Sequence, residues 1–234
     1  MKTNQAFKNE ALDALRGNWG KAVLATLLFA LIAAAINGPS TAYSAGQQST
    51  LQSLIAYGDT AGILSLYGSM LRVSGITFLA MVLLFNPLMV GFHNAFRVLG
   101  EGDNNLTRNL FALSVRNYWH KVLGMLWMYI LVYLWMLLLV IPGIIKAFSY
   151  AMTPYILEEN PELDVTEAIH RSRMMMRNHK FDLFWLYLGF LGWFFLCLLT
   201  AGIGFLWLTP YVEAAQAAFY KEIKADYALH GGLD

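Results

Sequence analysis

The residue in this 234-residue chain whose type and position most invite chemistry is Glu213. It lies about eleven residues into the last apolar arm of the chain, hence near mid-membrane at about 1.5 Å of helix per residue. An ionisable group at that depth is costly and is a functional hypothesis by default. Gln216 and Tyr220 follow it at helical spacing on one face, and Asn86 offers a further polar side chain in an earlier apolar run. Ala214, Ala215, Ala217 and Ala218 leave room for a neighbouring helix to approach closely. Two chemistries are open. Glu213 could be a titrating or ligand-binding carboxyl in a pathway, or a protonated, hydrogen-bonded staple that holds helices together.

Pro87, Pro154 and Pro210 each remove a backbone donor and are expected to kink their helices. Carbonyls freed at a kink can line a polar cavity. They can also be satisfied by the adjacent Asn86, Thr153 and Thr209. The other candidates are weaker. His93, His120, His170, His179 and His230 have no metal-ligand spacing, and the single Cys197 sits in an apolar run. No Gly-x-Ser-x-Gly motif, P-loop or cysteine cluster is present. No metal, cofactor or catalytic activity is therefore expected. A net charge of +1 gives no reason to expect nucleic acid as a partner.

The elements that must position these residues are membrane helices. Hydrophobic residues make up 58% of the chain and charged residues 13%, with a mean hydropathy of +0.49. That is far from the balance of a soluble domain. Fourteen of the sixteen Lys and Arg residues fall in residues 1–21, 97–121, 158–180 and 221–234. Apolar runs long enough to cross a bilayer lie between them, which is the positive-inside pattern of a multi-pass protein. Arg72 and Lys146, the two exceptions, stand near the outer ends of spans and can snorkel.

The predicted fold is an all-α membrane bundle, one domain over residues 1–234, with about six spans in three hairpins. An amphipathic helix over 4–16 precedes hairpin one (21–97), whose spans flank a polar external connection at 37–71. Hairpin two covers 108–157, a cytoplasmic amphipathic helix covers 164–179, and hairpin three covers 183–225. Glu10 and Asp13 in the first twenty residues argue against a cleaved signal peptide, so the first span is expected to be retained. Both termini are expected in the cytoplasm. Asp164-Val165-Thr166-Glu167 has the spacing of an N-cap and its N3 acid. Arg171, Arg173, Arg177 and Lys180 flank the apolar stripe of the helix that follows, and are candidates for anionic headgroup contact.

The three hairpins look like repeats. Their inner starts read Arg16-Gly17-Asn18-Trp19-Gly20-Lys21, Arg116-Asn117-Tyr118-Trp119-His120-Lys121 and Arg177-Asn178-His179-Lys180-Phe181. Their second arms are expected to open with Gly75-Ile76, Gly143-Ile144 and Gly202-Ile203, and later carry Asn86-Pro87, Thr153-Pro154 and Thr209-Pro210.

Gly17-Asn18-Trp19-Gly20-Lys21, Thr153-Pro154-Tyr155-Ile156-Leu157 and Ala168-Ile169-His170-Arg171-Ser172-Arg173 resemble segments of a bacterial membrane family catalogued as domain of unknown function 975. So do His179-Lys180-Phe181-Asp182-Leu183 and Leu208-Thr209-Pro210-Tyr211, and the resemblance covers nearly the whole chain. It implies a bacterial inner-membrane protein of about six spans and no established activity. More distantly, the layout resembles the membrane domain of some glycerophosphodiester phosphodiesterases, without their catalytic domain. The leading expectation is a membrane-embedded interaction or regulatory protein, in contact with the lipid bilayer and anionic headgroups and with another membrane protein as a candidate partner. The alternative is a small transporter or lipid-handling carrier built on Glu213. Convergence of polar residues from different hairpins on one cavity would favour the second.

Overall fold

The computed structural model describes residues 2–230, without the His230 side chain, so His230 as a candidate ligand lies outside the described residues. Those residues are helical throughout, with no strand among them. In chain order the helices are α1 (Asn4–Leu15), α2 (Trp19–Gly46), α3 (Gln48–Tyr57), α4 (Thr60–Ala80) and α5 (Asn86–Gly100), with a π turn at Met81–Phe85 before α5. Then come α6 (Leu106–Val115), α7 (Tyr118–Leu138), α8 (Val140–Tyr150), α9 (Thr153–Glu159) and α10 (Val165–Met175). The chain ends with α11 (Lys180–Leu188), α12 (Leu191–Leu199) and α13 (Phe205–His230).

Five helical stretches are long and apolar enough to cross a membrane: Trp19–Tyr57, Thr60–Gly100, Tyr118–Leu138, Val140–Glu159 and Lys180–Leu199. The sixth expected span falls in α13, which is long enough but too polar to count among them. Its polarity follows from its place, since Ala214, Ala215, Gln216, Ala217, Ala218, Phe219 and Tyr220 are all buried. Leu137 to Ile141, by contrast, are each more than 60% exposed, a surface suited to lipid.

Contacts group the described residues into two compact units, 28–85 and 2–27 with 86–230. In the first unit, the polar connection 37–71 is helical over most of its length. The α2 helix runs through it to Gly46, Gly58 closes α3 in the left-handed region (φ 68°), and the Asp59 carboxylate caps α4 by accepting from Gly62 N–H at 2.9 Å. Polar composition misleads here because the side chains satisfy their own helices. Asn37, Ser44, Ser53, Ser65 and Ser69 each donate to a carbonyl three or four residues back. Few residues of this unit are buried: none in α3 and only Leu66 in α4.

In the second unit, α1 buries Phe7, Ala11 and Leu15 against protein, with the Phe7 ring 5.4 Å from that of Phe219 on α13. Burying two side chains as large as Phe7 and Leu15 contributes about 1.5–3 kcal/mol each. Lys8, on the polar flank of α1, reaches a break in the fifth expected span. The run 183–199 is not one helix but α11 and α12, interrupted at Gly189-Phe190. The Lys8 ammonium donates to the Gly189 carbonyl at 2.7 Å and lies 4.6 Å from the centre of the Phe190 ring. Partial burial pulls its pKa below the usual lysine value.

The α10 helix also packs inward, with Ala168, Ile169, Ser172, Met175 and Met176 buried. Asp164 caps it by accepting from Thr166 N–H at 3.1 Å. Hydrogen bonds from Thr166, chiefly its hydroxyl, hold the Asp164 carboxyl below the usual carboxylate range. The expected arm at 144–157 is broken between α8 and α9, and Ser172 bridges the break. Its hydroxyl donates to the Ser149 carbonyl at 3.0 Å and accepts from Met152 N–H at 3.2 Å.

Two of the three inner starts share one backbone conformation. Arg16 and Arg116 are extended, and the next residues, Gly17 (φ 78°) and Asn117 (φ 49°), are left-handed. Between α10 and α11 no such residue occurs, so the third start diverges. A short helix precedes every hairpin, including α6, which the sequence reading did not resolve. The Gly-Ile pairs do not open helices as expected. Gly75 and Gly143 lie inside α4 and α8, and Gly202 is in the turn before α13.

Candidate functional site

The prolines mark the three segments that build the site, though each has a different backbone outcome. Pro87 follows the π turn, Pro154 sits in the first turn of a new helix, and Pro210 is carried inside α13. Thr153 does not satisfy the backbone at its break, since its buried hydroxyl has no partner and Ser172 does the work. Close approach of helices is set by small residues. A side chain at Gly91 would run into Ser114 and Leu110 on α6, and one at Gly124 would come within 2.6 Å of Leu157.

This packing brings Glu213 to His93. Glu213 Oε2 lies 2.9 Å from His93 Nδ1, and both side chains are almost wholly buried, at 13% and 11% exposure. The distance is that of a hydrogen bond, yet the approach is out of line and neither atom has a directed partner. The pair is therefore close enough to share a proton without being locked. The Glu213 side chain does not meet Lys146, whose ammonium lies 4.5 Å over the Trp135 ring.

A cavity of about 440 Å³ opens on this pair. Its walls come from α5 (Met89, His93), α7 (Met125, Met128, Tyr129, Val132), α8 and α9 (Ala147, Tyr150, Ala151, Pro154), α11 (Tyr187) and α13 (Val212, Glu213, Gln216). The lining is mostly apolar, with few convergent polar groups, which is the usual make-up of a small-molecule site. Of the predicted site residues, Glu213, Gln216 and Pro154 line it. Asn86 and Pro210 do not, although Asn86 is buried.

Tyr155 stands next to the pair. Its ring stacks between His93, 5.8 Å away at 24°, and Tyr220, 4.6 Å away at 14°, and its buried hydroxyl has no partner. Beyond Tyr220 lies a second cavity of about 290 Å³, lined by Arg97, Glu101, Glu159, Tyr220, Lys224 and others. Each of α5, α9 and α13 lines the first cavity with earlier residues and the second with later ones: 89 and 93 then 96–100, 154 then 159, and 212–216 then chiefly 217–224. The two cavities are thus stacked along the same three helices, with the aromatic sandwich between them.

The second cavity is held by an ion network. Tyr220 donates to Glu159 Oε2 at 2.6 Å, Lys224 meets the same oxygen at 2.7 Å, and Arg97 meets Glu159 Oε1 at 3.1 Å and Glu101 at 2.7 Å. Asn94 fixes Arg97 by accepting from its Nε at 2.9 Å, and donates to the Pro154 carbonyl at 2.9 Å. Alongside it, Lys121 is wholly buried and paired with the buried Glu158.

The candidate headgroup residues stand elsewhere. Arg173 and Arg177 are exposed, while Arg171 reaches Asn160 Oδ1 at 3.4 Å. His120 and His179 have protein partners, the Leu163 carbonyl at 2.9 Å and Asp182 and Asp226 at 3.2 and 3.3 Å.

His93 is the main residue that sequence reasoning missed. The signal was present, because the depth rule applied to Glu213 applies equally to a histidine inside the apolar run 73–97. A family model for "Protein of unknown function (DUF975)" matches residues 76–227, about two thirds of the chain. The chain belongs to that family. The match to DUF975 takes in every residue that lines the 440 Å³ cavity. It leaves out Gly17-Asn18-Trp19-Gly20-Lys21, where Asn18 and Lys21 hold the turn before α6 by donating to Asn104 at 3.0 and 3.1 Å. In that turn, hydrogen bonds from Asn109 and then Asn105 keep Asp103 below the usual carboxylate range. No curated protein and no solved structure matches the chain.

Proposed function

We propose that this DUF975 protein is a small-molecule carrier of the membrane, in which the His93–Glu213 pair is the working site and Tyr155 the barrier between two half-pathways. The observation that carries this reading is the convergence of His93, Tyr150, Glu213 and Gln216, from three hairpins, on one cavity. In this reading both termini and residues 100–121 and 158–180 lie in the cytoplasm, which the clustering of Lys and Arg supports. The second cavity then faces the cytoplasm, while the first lies nearer mid-membrane. Catalysis is no part of this reading.

Carbodiimide chemistry tests it. Dicyclohexylcarbodiimide is apolar and attacks protonated carboxyls reachable from the bilayer. Mass spectrometry should find the adduct on Glu213, with a yield that rises as acid adds a proton to the carboxylate beside an already protonated His93, and that vanishes in Glu213→Gln. A Glu213 that stays unmodified at every pH would mean a sealed staple and contradict the carrier.

A second reading, the interaction or regulatory protein, draws on the other unit. The helices between residues 28 and 85 bury almost none of their side chains, a surface for lipid or for another membrane protein. The exposed Arg173 and Arg177 suit anionic headgroups under either reading.

A further inference from the structure

The charges of the 440 Å³ cavity bear on what it would carry. Glu213 is its single carboxyl, and His93 is the one lining residue able to hold a positive charge. The other titratable groups facing the pair are the neutral phenols Tyr129 on α7, Tyr150 on α8, Tyr155 on α9 and Tyr187 on α11. The nearest fixed cations are engaged elsewhere: Arg97 with Glu101 and Glu159, and Lys146 over Trp135. The walls are thioether, aliphatic and aromatic, so they offer polarisable surface and ring faces to a cation.

Resting on the carrier reading, we propose that the cavity takes an amphiphilic organic cation, a substituted ammonium, in exchange for the proton of the His93–Glu213 pair. With its proton the pair is imidazolium beside carboxylate, neutral overall. A cation entering against Glu213 would leave two positive charges to one negative in a buried site of low dielectric, which is costly. The site returns to neutrality when imidazolium gives its proton to water. One cation enters, one proton leaves, His93 ends neutral and Glu213 stays a carboxylate paired with the ammonium. No bond other than N–H of His93 is broken. Glu213 lines the cavity, so its carboxylate can face the newcomer. An anion would meet the Glu213 carboxylate and would add to the pair's proton and not displace it, and a neutral molecule would displace no proton.

Three probes of one shape separate these cases: benzyltrimethylammonium, its uncharged isostere neopentylbenzene, and benzylsulfonate. They are titrated into the detergent-solubilised protein in weakly buffered solution with a pH dye. The ammonium should bind and release one proton per cation, with affinity falling roughly tenfold for each unit of acidification over the range where the pair is protonated. The Glu213→Gln variant should lose both binding and release. The His93→Gln variant should still bind the ammonium, now without proton release and without pH dependence, a split that general loss of folding cannot produce.

Equal binding of either other probe, or ammonium binding with no proton released by the wild-type protein, overturns the exchange. Failure of the ammonium to bind overturns it as well. Carbodiimide reactivity of Glu213 then tells whether the carrier reading survives that failure.

Discussion

Substituting Tyr155 by Ala should turn a sealed protein into a leaky one. The Tyr155 ring is the only side chain stacked on both His93 and Tyr220 among the described residues, and those two residues line different cavities. Removing the ring joins the cavities and gives water a path along α5, α9 and α13. Lowering a permeation barrier by about 1.4 kcal/mol already speeds passage about tenfold, and exchanging an aromatic plug for water should exceed that. In proteoliposomes that enclose a pH-sensitive dye, Tyr155→Ala should collapse an imposed pH gradient at least about tenfold faster than wild type. Tyr155→Phe should behave as wild type, because the hydroxyl has no partner to lose. Truncating a buried aromatic costs about 3–5 kcal/mol, so both variants are first checked for monodispersity and helicity. A correctly folded Tyr155→Ala protein that holds the gradient would show that the stack is not the barrier.

The largest loss of stability is expected at Lys121. Its ammonium is wholly buried between Glu158 and the Leu113 carbonyl, at the start of α7 and the end of α9. Removing one member of a buried pair leaves the other as an uncompensated charge, which costs about 3–5 kcal/mol. Lys121→Met should therefore unfold at a clearly lower temperature in detergent. The double variant Lys121→Met/Glu158→Leu should recover most of the loss, since apolar replacements of a buried pair are often neutral or stabilising. Arg116, 3.8 Å from Glu158 and exposed, is too weakly held to substitute for Lys121. A single variant as stable as the parent would mean that Glu158 finds another partner or takes up a proton.

Much of the fold was legible because apolar length and basic clustering are properties of whole segments. The α10 cap at Asp164 and the buried stripe of α1 follow directly from spacing. The helices within the connection 37–71 were less legible, because its Ser and Asn side chains look like turn formers yet bond back to their own helices. The breaks at Gly189-Phe190 and at residues 151–152 were not legible, since what tolerates them is distant in sequence: Lys8 in one case and Ser172 in the other. The site was half legible. Glu213 stood out by depth, but its partner is set by the approach of α5 to α13 and not by any local pattern. Lys121 read as one more inner-surface cation, and only the packing of α9 reveals it as a buried ion-pair partner.

The central claim is that the Glu213 cavity exchanges with water. Gln216 lines that cavity one helical turn from Glu213, and in a Cys197→Ser background it can be replaced by a lone cysteine. The measurement is the rate at which a membrane-impermeant thiol reagent labels Gln216→Cys in sealed vesicles of each orientation, at about pH 5 and about pH 8, on either side of the histidine range. A carrier predicts labelling from at least one side, with a rate or a sidedness that changes between the two pH values. A Gln216→Cys thiol inert from both sides at both pH values, in a protein that labels once unfolded, would contradict it.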